Sequence, residues 1–90
     1  MSSHKELMAR LRSEASDCYS WSNAPRDTYA AHSHAYEKVL YCVEGSIKFT
    51  IEPDRREVVL QAGDRMVLPP ATVHSAAVGG DGCTCIEGRR

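Results

Sequence analysis

The chain has 90 residues, a formal net charge of −1 and 26% charged residues, which suits one small domain spanning residues 1–90. A core of that size buries only about 60% of the unfolded chain's surface. The basic residues are scattered, their closest pairs being Arg10 and Arg12, Arg55 and Arg56, and Arg89 and Arg90, with no run interleaved with aromatics, so no nucleic-acid partner is expected. No apolar run approaches the roughly 20 residues of a membrane span, and no apolar h-region follows the N-terminus, so the expectation is no membrane partner and a cytoplasmic location. There Cys18, Cys42, Cys83 and Cys85 are expected as free thiols, since the compartment is reducing.

In chain order, Ser3-His4-Lys5-Glu6 reads as a capping box that opens a helix. Leu7, Met8, Leu11 and Ala15 follow at helical spacing, which predicts a short amphipathic helix over about residues 4–15. Residues 17–22 carry Cys18, Tyr19 and Trp21 and suit a strand, and Asn23-Ala24-Pro25-Arg26-Asp27 is turn chemistry. Residues 28–34 are the next extended segment. The β-branched and aromatic run 39–43 reads as a buried strand, and Glu44-Gly45-Ser46 as the turn that ends it. Ile47, Phe49 and Ile51 alternate with Lys48, Thr50 and Glu52, a half-buried strand. Strands at 57–60 and 65–68 follow, the latter ended by Pro69 and Pro70, which cannot donate to a ladder. Strands at 73–78 and 83–87 are separated by the turn Gly79-Gly80-Asp81-Gly82. Roughly seven or eight short strands, with turns about every 8–12 residues, predict an all-β sandwich or barrel over residues 18–87.

Chemistry concentrates at three histidines. His32 and His34 stand at i and i+2, which puts both imidazoles on one face of an extended strand. Neutral imidazole is a versatile ligand for transition metals, and His74 arrives forty residues later through the turn Pro69-Pro70-Ala71-Thr72-Val73. Three such ligands from two strands would leave open positions on a metal.

These segments resemble the two motifs of the cupin superfamily. Motif 1, H-x-H-(x)3,4-E-(x)6-G, is similar to His32-Ser33-His34-Ala35-Tyr36-Glu37-Lys38-Val39-Leu40-Tyr41-Cys42-Val43-Glu44-Gly45. Motif 2, G-(x)5-P-x-G-(x)2-H-(x)3-N, is similar to residues 63–78, from Gly63 through Pro69 and His74 to Val78. The resemblance implies a jelly-roll β-barrel, to which the capping box and helical spacing add a short N-terminal α-helix. It also implies one divalent transition metal (Zn, Fe, Mn or Ni) held inside the barrel by His32, His34 and His74. Three readings remain open: a metal-dependent enzyme on a small molecule, dioxygenase- or isomerase-like, a non-enzymatic module that binds or senses a small ligand, and a vestigial barrel in which the three histidines are merely hydrogen-bonded. A homodimer is expected, because so small a barrel leaves apolar sheet to cover.

The departures from the motifs are informative. The motif-1 glutamate, a fourth ligand in the family, should fall at residue 38 or 39, where the chain has Lys38 and Val39. Glu37 is one position early, so the fourth ligand is absent or is Glu37 brought round by an irregular turn. Lys38 cannot ligate as an ammonium. It has three arrangements open to it: stem along the rim with the charge outward, paired with Glu37 or Glu44, or turned inward to hold an anionic group. Cys42 shares the parity of Lys38 and is a cavity candidate or a small buried hydrophobe. Tyr36 and Tyr41 are further candidates for cavity or rim contacts, with packing as the alternative. Ala71 replaces the motif's glycine, and Val78 its asparagine. No catalytic residue can be named.

Overall fold

The computed structural model describes residues 3–90. One helix, α1 (His4–Glu14), precedes six strands: β1 (Ser16–Asn23), β2 (Thr28–His32), β3 (Lys38–Ile51), β4 (Arg56–Gln61), β5 (Arg65–Leu68) and β6 (His74–Arg89). The helix begins as expected, with the Glu6 amide donating to Ser3 Oγ at 3.1 Å.

All strand pairs are antiparallel, in one six-stranded sheet ordered β1-β6-β3-β4, with β2 added on β6 and β5 on β3. The two long strands organise it. The first part of β3 (38–45) pairs with the last part of β6 (83–89), and the last part of β3 (47–51) with the first part of β6 (74–78). Each half then gains flanking strands: β1 and β5 on one, β2 and β4 on the other.

The expected turns at 44–46 and 79–82 are therefore not chain reversals. Both lie inside continuous strands of 14 and 16 residues, where the register shifts between Cys42 and Glu44 and between Gly45 and Ile47. The reason is local. Gly45 (φ +71°) and Gly82 (φ +76°) lie against each other, and a Cβ on Gly45 would meet the Gly82 carbonyl oxygen at 2.0 Å. Two glycines let paired strands bend sharply while keeping their partner, as bulges do. Turn chemistry in the sequence marked a bend shared by two strands, and the strand count falls to six.

Strand parity sorts the side chains into two clusters. Leu40, Cys42, Met66, Leu68, Cys83 and Cys85 from one half pack with Ile47, Phe49, Ile51, Leu60, Ala76 and Val78 from the other. Val39, Tyr41, Val43 and Ile86 point to the opposite face, where Leu7 and Leu11 of α1 cover them. The helix explains why the run 39–43 is apolar at every position: both faces of that strand are buried. All four cysteines are free thiols. No helix among the described residues is long and apolar enough to cross a membrane.

Candidate metal centre

His32 closes β2 and is the Cα partner of His74, the first residue of β6. His34 lies beyond the strand, in the loop before β3, so strand parity alone does not aim it. The loop is pinned instead by the Ala71 amide, which donates to the His34 carbonyl at 2.7 Å. Ala71 adopts φ +62°, in the left-handed region that the motif's glycine would enter freely. This hydrogen bond ties the His34 loop to the turn before His74, beside the β2–β6 pairing that sets His32 against His74.

The three rings converge. Their centroids lie 4.4 Å apart for His32 and His74, 5.0 Å for His32 and His34, and 5.4 Å for His34 and His74. One nitrogen from each lies within 4.8 Å of the other two. Nδ1 of His32 is 2.8 Å from the Ala30 carbonyl oxygen, and Nδ1 of His74 is 2.9 Å from that of Thr72. A carbonyl can only accept, so in both rings Nδ1 carries the proton and Nε2 keeps its lone pair. Nε2 of His34 and Nε2 of His74 are buried with no hydrogen-bond partner. Two orphaned nitrogen atoms beside a third imidazole fit a metal ion.

Burial favours the neutral form of His34 and His74. Burial is the main influence lowering the His34 and His74 pKa values below that of free imidazole. Lys38 and the neighbouring rings push the same way, while the Thr72 carbonyl opposes for His74. A neutral ring is the ligating form.

The trio opens on a cavity of about 340 Å³ whose lining includes Trp21, Tyr36, Lys38, Phe49 and Glu87. Lys38 points inward and is 8% exposed, against the outward and surface-paired arrangements considered above. It shares interior parity with Leu40 and Cys42, and it finds a counter-charge there, Glu87 Oε2 at 3.4 Å. Glu87 is 5% exposed. Its Oε1 accepts from Trp21 Nε1 at 2.8 Å and its Oε2 from the Tyr19 hydroxyl at 2.9 Å. Burial, then this bond to Glu87, pushes the Tyr19 phenol up to about 12, so it stays a donor.

Tyr36 also lines the cavity, stacked on His34 with centroids 5.1 Å apart, and the Arg89 guanidinium covers it at 4.2 Å. Two candidates fall elsewhere. The Glu37 carboxylate is ion-paired with Arg90 at 2.6 Å and takes no part in the histidine group, because the arginine supplies the counter-charge. Cys42 is fully buried in the core and is not part of the cavity lining; its thiol donates to the Glu44 carbonyl at 3.4 Å. Glu87, Tyr19 and Trp21 were missed as site residues. The signal was parity: Glu87 alternates with Cys83 and Cys85, which places its carboxylate on their face of β6.

Residues 21–86 match the family model described as the cupin domain. This chain is a cupin. No curated protein matches it in sequence. Among solved structures, an RmlC-like cupin from Shewanella frigidimarina aligns at 26% identity and a TM-score of 0.70, over 80% of this cupin and 62% of that chain. KdgF from a Halomonas species aligns at 21% identity and a TM-score of 0.67, over 81% of this cupin and 67% of its own length. The Bacillus subtilis oxalate decarboxylase, a protein with Mn(II) centres, aligns at 20% identity and a TM-score of 0.70, over 80% of this cupin and 20% of the decarboxylase. The chain thus spans less than two thirds of the Shewanella protein.

Proposed function

We propose that this cupin folds as a jelly-roll β-barrel that holds one divalent transition metal on His32, His34 and His74 and acts on a small molecule bound beside it. The observation that carries the reading is the pair of buried, unpartnered Nε2 atoms on His34 and His74, converging with His32. A divalent ion on three neutral imidazoles would act as a Lewis acid with positions left for a ligand. The protein's own residues set the rest. The Ala30 and Thr72 carbonyls fix ring orientation, and Tyr36 covers one face of His34.

A binding or sensing module is the second reading. Glu87 is the one carboxylate of the described cavity lining, and both its oxygens are already engaged. None is therefore free to serve as a general base. Metal analysis of purified protein decides the first point: stoichiometric metal, lost in His74→Ala, is expected, and metal-free protein from a metal-supplemented culture would overturn it. Oxygen uptake with a panel of thiols and diketones then separates a dioxygenase from a binder.

A cytoplasmic homodimer belongs to the same reading. It is supported by the far edges of β1 and β2, which pair with no strand among the described residues, and by Tyr19, 53% exposed beside them. Sedimentation as a 9.9 kDa species at micromolar concentration would refute it.

A further inference from the structure

We propose that the cavity takes a small organic carboxylate, its anionic group held between a metal ion on His32, His34 and His74 and the ammonium of Lys38. The inference rests on the metal reading above and names the class of ligand. It starts from charge. All three ligands are neutral, and Glu37 is committed to Arg90, so a divalent ion there has no protein anion in contact with it. Glu87 is paired with Lys38, is held by the Trp21 and Tyr19 donors, and is not among the clustered ligands. The double positive charge of the ion is therefore uncompensated inside a cavity with largely apolar walls, and an unpaired charge in such surroundings is costly.

Lys38 is placed to share the anion. Its side chain is about nine-tenths buried and it faces the same cavity as the histidines. Of its three N–H donors, Glu87 takes at most one, at 3.4 Å. Glu87 sits behind it as a positioning residue, itself held by the Trp21 and Tyr19 donors. A single ammonium with no arginine in the lining suits a carboxylate better than a phosphate, which usually meets a guanidinium fork or a row of backbone amides. Leu40, Ile47, Phe49 and Trp21 leave apolar surface for the rest of a small acid.

The test uses the full chain loaded with Co²⁺, whose visible absorption reports its coordination. Benzoate and butanoate are titrated against their neutral amides, with inorganic phosphate as a separate arm. Expected is one Co²⁺ per chain, a spectral change with both carboxylates and little with the amides. Lys38→Met should keep the cobalt and weaken carboxylate binding by about tenfold or more, the worth of a hydrogen bond to a charged group. Lys38→Met with Glu87→Gln leaves no unpaired buried charge and should behave alike. If the single variant fails to fold, the double variant and the wild-type comparison of acid with amide still decide. Equal responses to acids and amides, response to phosphate alone, or undiminished carboxylate binding in the lysine variants would overturn the proposal while leaving the metal site standing. Absence of cobalt from the wild-type protein would overturn both.

Discussion

Ala71 holds the left-handed backbone conformation (φ +62°) of the turn that presents His74, and its amide bonds the His34 carbonyl. An L-residue with a Cβ pays roughly 1–2 kcal/mol for that conformation, part of which glycine would return as unfolded-state entropy. Ala71→Gly is expected to stabilise the protein by about 1 kcal/mol, read as a rise of roughly 4–8 °C in Tm for a domain this size. An unchanged or lowered Tm would show that the turn is not strained. Lys38 teaches a different lesson at the same scale. The sequence leaves three arrangements open to it, and the residue that neutralises it, Glu87, lies 49 positions away and is adjacent only in the sheet. A charge buried without its partner in view looks like an exposed one.

Among the elements, α1 is held mainly by its contact with the outer face of β3 and β6. Leu7 and Leu11 are essentially unexposed against Val39, Tyr41, Val43 and Ile86. At its C-terminal end Glu14 accepts from the Tyr41 hydroxyl at 2.6 Å and pairs with Arg65 and Arg90. Leu11→Ala should therefore cost about 2–5 kcal/mol, visible as a lower urea midpoint. A loss below about 1 kcal/mol would mean that the helix contributes little to the fold. The helix itself was legible from its capping box and 3.6-residue spacing, because those signals are local. The long strands were not, because glycine-rich turn chemistry reads alike in a reversal and in a bend that two paired strands share.

At the scale of the whole molecule, the sign of the histidine shifts sets the response to pH. His34 and His74 have folded-state values below the unfolded value of about 6.5. Unfolded chains therefore bind more protons in the interval between, and stability rises with pH there. The metal-free protein should lose stability as pH falls below about 6.5 towards the lowered values, by at most about 1.4 kcal/mol per pH unit for each ring. His74→Asn should flatten that slope, whereas a profile independent of pH between 5 and 6.5 would contradict the neutral buried pair. Glu14 acts lower: its value is depressed first by the Arg65 hydrogen bond and next by Tyr41, so its contribution is present above the ordinary carboxylate value and fades as pH falls through the folded one.

Membership of the fold family and the trio of histidines were legible in the sequence through its resemblance to two short motifs, although His34 lies beyond β2 and not on the strand that its spacing suggested. The inward Lys38, its buried partner Glu87, the absence of Glu37 from the histidine group and the merging of expected hairpins into two bent strands were decided only in the tertiary structure. Each depends on which distant residue supplies a counter-charge or a strand partner. Pairing across 49 positions of chain is set by the whole packed sheet and leaves no periodic trace along the sequence.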